Sequence, residues 1–345
     1  MKSITRSCTA IGLGLVLSFA AGPALAWGYM GHHMIGEVAA KNFPAELPDF
    51  LRTPLFVSQL GSLSQEPDIS RNSGNPHDAD LDPGHFLDLS DDGTVLGGPK
   101  LSALPATRRD YDTALRAVGH DEYYAGFLPY NIMDGWQQLA HDFALLRAYS
   151  AALKYAGRFH LTASDKAAYG RLLALRQMLT LRDLGTWAHF VEDASQPMHV
   201  SVHYNGWGDF PNPQGFVTGP GLHSRFEADF VTANIHEADI AARMRPYRPC
   251  GEGVQACTAA YLAQTAQHTL RLYELDKAGA FDPAAPTLES RAFTAERLAA
   301  GASALRDMVV DAWRASADVS LGYKVKTPVA DYEAGKAIVI LQSRD

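Results

Sequence analysis

The sequence predicts an all-α protein. Apolar residues recur at helical spacing over long stretches, alternating strand patterns are nearly absent, and glycine or proline punctuates the periodic runs. The first helical run is HHMIGEVAAKNF, followed by GWQQLAHDFALLRAYSAALKYAG (135–157), which stops at a glycine. The third, 164–194, opens on a Ser-Asp cap signal and ends in HFVEDA. Stretches 223–244, 257–279 and 288–318 complete the set. The best strand pattern is the short AIVILQ (337–342). Residues from about 46 to 130 are rich in Pro, Gly and Asp and read as a long functional connector. No internal repeat or low-complexity segment breaks the chain, so residues 27–345 are expected to form a single all-α domain.

The first 26 residues read as a signal peptide. Lys2 and Arg6 give a positive start, Cys8 to Ala21 form an apolar run of about 14 residues, and Pro23-Ala24-Leu25-Ala26 ends in a small-x-small pattern. That run is shorter than the roughly 18 residues a spanning helix wants, which predicts cleavage after Ala26 and a secreted or periplasmic protein without a membrane span. Loss of Lys2 and Arg6 takes the formal charge from −8 to −10, which excludes a broad cationic surface for nucleic acid or anionic membrane. With 47% hydrophobic and 20% charged residues, the chain can bury a sizeable core. Cys250 and Cys257 remain as an even pair for an oxidising compartment, and a local disulfide is expected between them. Nothing in the sequence calls for an oligomer, and a monomer is expected.

Chemistry-bearing residues sit at telling intervals. HFVED places His189 and Asp193 four apart on one helix face, QPMH delivers His199 just after Pro197, and HSRFE places His223 and Glu227 four apart again. One such pair is commonplace; two pairs with a histidine between them suggest a metal site of nitrogen and oxygen donors, which suits zinc. Glu192 points about 100 degrees away from Asp193 on the helix and is expected to be solvated. EPDISR presents Asp68 in a loop, and GHFLD presents His85 after Pro83-Gly84. Cleavage after Ala26 would make Trp27 the first residue. Its free amine and carbonyl could then form a five-membered chelate, with His32 on the following helix as a further donor.

WGYMGH, PDISR, HFLD, HFVEDASQPMH and HSRFE, in that order, resemble the zinc-dependent phospholipase C and S1/P1 nuclease superfamily, from Trp27 to about Phe230. The resemblance implies a single-domain multi-helix fold around a cleft holding three zinc ions. It implies Asp68, His85, His189 and Asp193 as ligands of one ion. Trp27, His32 and a bridging Asp193 would hold its neighbour, and His199, His223 and Glu227 the third. It also implies phosphodiester hydrolysis by a metal-activated hydroxide, with Asp68 orienting or deprotonating the attacking water. His33, His77, His120, His141, His160, His203, His236 and His268 fill no such slot.

The substrate reading divides. QPMH through HSRFE, with Glu227, looks like the phospholipase branch, whereas the compact WGYMGH spacing and Arg71 look like the nuclease branch. Ile69 stands where phospholipases carry an aromatic. The expectation is a phospholipase C-like enzyme, with a single-strand nuclease or 3'-nucleotidase, or dual specificity, as the alternative. Arg71, Phe86 and Trp207 are the candidate substrate contacts, and Phe210 and Phe216 share Trp207's loop. A zinc-binding structural protein is the non-enzyme alternative; the lack of thiolates and a three-ligand third site speak against it.

Overall fold

The computed structural model describes residues 27–339. The expected signal segment and the last three residues of AIVILQ lie outside the described residues. Within them the protein is all-α. The longer helices are α1 (Gly28–Lys41), α2 (Pro54–Leu63), α3 (Arg108–Arg116), α4 (Leu128–Lys154), α5 (Ala163–Asp193), α6 (Val254–Ala266), α7 (Thr269–Lys277) and α8 (Leu288–Ala315). Two-residue strands, Ser320–Leu321 and Thr327–Pro328, pair antiparallel after α8. No helix among the described residues is long and apolar enough to cross a membrane.

Side-chain caps start α2, α3, α5 and α8. Thr162 accepts from Asp165 N while the Asp165 carboxylate accepts from Thr162 N, a reciprocal box that starts α5. Thr162, not the expected Ser-Asp pair, is therefore the cap. Thr53 caps α2, whose first residue is Pro54, and Thr107 caps α3 through Asp110 N. The helix α4 begins at Leu128, ahead of the predicted 135, because Pro129 sits in the first turn, where its missing N–H costs nothing.

Helices α4 and α5 form the central hairpin. Trp187, near the end of α5, donates its indole N–H to Ile132 O near the start of α4, so the pair runs antiparallel. Helix α2 lies across α5 where Gly185 meets Leu63, and α1 packs on α2 and α8. A methyl group at Gly185 would sit 2.3 Å from Leu63 Cβ, closer than any real contact. Gly185→Ala is therefore expected to cost about 1–3 kcal/mol, the range for overpacking a closed contact, and to lower the melting temperature by circular dichroism. An unchanged melt would mean that α2 yields freely.

Two predicted helices divide. Stretch 223–244 contains a π-helical segment (Arg225–Phe230), then Val231–Asn234, an extended Ile235, and Glu237–Ala241. Stretch 257–279 breaks between α6 and α7, where the run Gln264–His268 is mostly polar and carries no common apolar stripe. The connector is more helical than its composition suggests, since α2 and α3 both lie within it. Ala337–Val339 form no strand. Val339 O instead accepts from the Tyr169 hydroxyl of α5. Cys250 and Cys257 form the expected disulfide.

Candidate metal centre

The last two turns of α5 are buried except at Phe190 and carry His189 and Asp193 into the interior. Around them the fold gathers the remaining donors. His32 arrives from the second turn of α1, Asp68 from a helical turn (Glu66–Ile69) after α2, and His85 from a 3-10 turn (Asp82–His85). His199 comes from the turn Pro197–Val200 that follows α5, and His223 and Glu227 from the segment that becomes π-helical. All of these except Asp68 are buried, and Asp68 is half-buried.

Three groups result in which one donor atom per residue lies within 4.8 Å of the others: His32, His189 and Asp193; Asp68, His85 and His189; His199, His223 and Glu227. His189 Nε2 lies 2.8 Å from His85 Nδ1 and 3.3 Å from Asp193 Oδ2, while Asp68 Oδ1 is 3.8 Å from the same nitrogen. Asp193 Oδ1 lies 3.5 Å from His32 Nε2 and 3.8 Å from His199 Nδ1. In the third group, His199 Nε2 and His223 Nε2 are 3.0 Å apart, and Glu227 Oε2 is 2.7 Å from His223 Nε2.

Backbone carbonyls fix the tautomers. A carbonyl only accepts, so a ring nitrogen beside one must carry the proton. His189 Nδ1 is 2.7 Å from Ser64 O, His199 Nδ1 is 2.7 Å from His85 O, and His223 Nδ1 is 2.6 Å from Tyr204 O. With Nδ1 so engaged, each ring turns its Nε2 inward, and those of His199 and His223 face each other. Facing lone pairs repel unless a proton or a cation lies between them. This is the way metal-binding histidines are held, one nitrogen anchored to an acceptor and the other presented.

Electrostatics point the same way. Burial pushes the Asp193 and Glu192 carboxyls well above the usual carboxylate range, with Asp193 adding to the effect on Glu192. Burial likewise holds Asp68 up to about 6 and brings His189 down to about 4. Glu227 resists its burial because His223 and His199 keep it below the ordinary value. Asp193 Oδ1 and Glu227 Oε1 have no hydrogen-bond partner among the described residues. The acids ionise readily only if positive charge lies among them, so the donor set fits metal ions.

The sequence reading missed several supports. Glu192 is not solvated: α1 covers its side of α5, leaving it fully buried with Oε2 2.6 Å from His32 Nδ1. Its direction on the helix was right; the assumption that this direction led to water was not. Gln196 Nε2 stands 3.1 Å from Glu227 Oε2, and Gln196 Oε1 accepts from Met198 N, which ties the loop between Asp193 and His199. The signal for Gln196 was the QPMH motif itself, whereas nothing local marked Ser64 or Tyr204.

Trp27 is fully buried at the head of α1. Its indole N–H donates to Glu192 O at 3.0 Å and Ser195 Oγ at 2.8 Å, and its ring lies 5.5 Å from that of Phe226. The Trp27 ring is thus an aromatic anchor of α1 against α5.

A cavity of about 620 Å³ opens against this cluster, lined among others by Arg71, Asp82, His85, Asn131, Trp187 and Phe190. Arg71 Nη1 is 3.2 Å from Asp68 Oδ1, and Arg71 Nε is 3.2 Å from Asp82 Oδ1, so it stands at the junction of cavity and cluster. Phe86 is half-buried and not among the cavity's lining residues. Trp207 is buried beneath its loop, stacked on His203 with centroids 3.7 Å apart and packed on Phe216 and Tyr273. Tyr204 and Phe210 are exposed aromatics of that loop. His203 belongs to this packing, and His33 faces Glu37 and Tyr29. Comparison with family models, curated proteins and solved structures gives no match, so a functional reading must rest on the donors and the cavity themselves.

Proposed function

We propose that this chain is an exported zinc-dependent phosphodiester hydrolase, phospholipase C-like in its preference, with zinc held by the three donor groups. The observation that carries this reading is the convergence of nitrogen and oxygen donors on Asp193, whose two oxygens face different imidazoles. The absence of thiolates from the groups suits a hydrolytic zinc centre better than a closed structural one. Bound there, such ions lower the pKa of water toward about 7 and neutralise phosphoryl charge.

The chain's own residues then have separable tasks. Asp193 holds the paired donors at fixed spacing. Asp68 comes from the connector rather than from α5 and touches Arg71, which lines the cavity, so we assign it the task of orienting the attacking water and taking its proton. Arg71 supplies a fixed fork for a phosphoryl oxygen. Burial keeps competing water from the rest of the donor set.

The test is hydrolysis of phosphatidylcholine and of single-stranded DNA by the purified protein, with and without chelator. Chelator-sensitive release of phosphocholine supports the reading. Nucleotide release would favour the nuclease alternative, and activity on neither would remove the hydrolase proposal. Arg71 at the cavity junction is the observation that keeps that alternative open. Arg71→Ala is expected to cost about 10²-fold in nucleotide turnover, the scale of one lost charge-stabilising contact, and less in phosphocholine release. Equal losses would make it a general phosphate contact.

A further inference from the structure

We propose that Glu192 is the positioning residue for His32, a carboxylate that holds this imidazole for metal; the inference rests on the metal reading above. Glu192 is fully buried beside Asp193, and its Oε2 lies 2.6 Å from His32 Nδ1. With that nitrogen engaged, His32 Nε2 is left 3.5 Å from Asp193 Oδ1, and the ring stacks on His189 with centroids 4.0 Å apart. His189, His199 and His223 are oriented by neutral backbone carbonyls. His32 is oriented by an acid.

The difference matters chemically. A carboxylate is a stronger acceptor than a carbonyl. It raises the basicity of the ring it holds and adds a negative charge one imidazole away from the ion. A buried carboxylate is costly unless positive charge lies nearby, and a cation on the far side of His32 would supply that charge.

The surroundings are shaped to keep Glu192 in place. Helix α1 meets it at successive turns. Trp27 donates its indole N–H to Glu192 O, His32 meets Oε2, and Gly36 leaves room for Oε1, which would lie 3.4 Å from a methyl group at that position. One residue of α5 thus docks the aromatic anchor and aims the donor of α1. A helix α1 rotated away from Glu192 would lose both.

The experiment compares the zinc-loaded protein with Glu192→Gln and Glu192→Leu. Two quantities are read: the rate of zinc transfer to a chromophoric chelator, and the His32 Nδ1–H proton resonance in ¹⁵N-labelled protein. Glu192→Gln keeps the shape but not the charge. It is expected to speed release of part of the bound zinc about 10–100-fold, the range for losing such a partner, and to move the His32 proton upfield. Glu192→Leu is expected to release faster still. If Glu192→Leu fails to fold, the shape-matched glutamine variant decides alone. Wild-type release rates and an unmoved His32 proton in the variants would overturn the role of Glu192. A wild-type protein that takes up no zinc would instead overturn the metal reading beneath it.

Discussion

Asp193→Asn is expected to strip the purified protein of the two metal equivalents that share this carboxylate, leaving the His199, His223 and Glu227 group loaded. The two Asp193 oxygens face different partners, one toward His189 and His85, the other toward His32. Asparagine matches the shape but offers one neutral oxygen and an N–H₂ that cannot bind a cation. Hydrolysis should fall by more than the ~10²–10³-fold that one lost electrostatic contact costs. Metal-free stability should move the other way. Burial raises the folded-state pKa of Asp193 above its unfolded value. Ionising it therefore opposes folding, and metal-free wild type loses stability as pH rises from the ordinary carboxylate range toward that higher value. The asparagine variant lacks this loss, so at neutral pH without metal it should melt at or above wild type. With zinc present the order should reverse, because binding stabilises only the folded form. Elemental analysis showing full metal content in Asp193→Asn would refute the shared carboxylate.

Keeping Ala26 ahead of Trp27 is expected to cost one metal equivalent relative to a chain that starts at Trp27. An amide nitrogen has no lone pair to give, so the proposed amine-carbonyl chelate disappears. The comparison is clean because the indole is anchored independently, through Ser195 Oγ and Glu192 O, and should stay docked in both forms. Matched secondary structure with unequal zinc content is the expected result. Equal zinc content in both forms would remove the terminal amine from the ligand set.

The α4–α5 hairpin was legible because long amphipathic runs leave a period that loops do not imitate. The joins were not. Pro129 reads as a breaker until it is seen in a first turn, and α2 and α3 are too short for periodicity to outweigh the glycines and prolines around them. In the site, the two four-residue spacings were plain: His189 with Asp193 and His223 with Glu227 do share faces. Asp68 and His85 were marked more weakly, since a lone loop acid or histidine carries no pattern; they gained weight because a His-Asp helix pair alone leaves a metal short of ligands, and again through the resemblance. Glu192 was misjudged because one helix cannot report what packs against its other side. The carbonyls of Ser64, His85 and Tyr204 carry no residue-type signal at all, and any residue there would offer the same oxygen.

Asp68 and His85 belong to the connector, whereas His189 and Asp193 end the central hairpin. An ion held by both sets would join points separated by 104 residues, as His85 and His189 are. In polymer terms it would be a cross-link, withdrawing conformations from the unfolded chain much as a covalent bridge over a long loop does. The cavity wall that carries Arg71 would then owe its position to the same ion that serves the chemistry. Loss of metal would dissolve the substrate's seat along with the reactive centre, and selection for catalysis and selection for durability would fall on the same few residues.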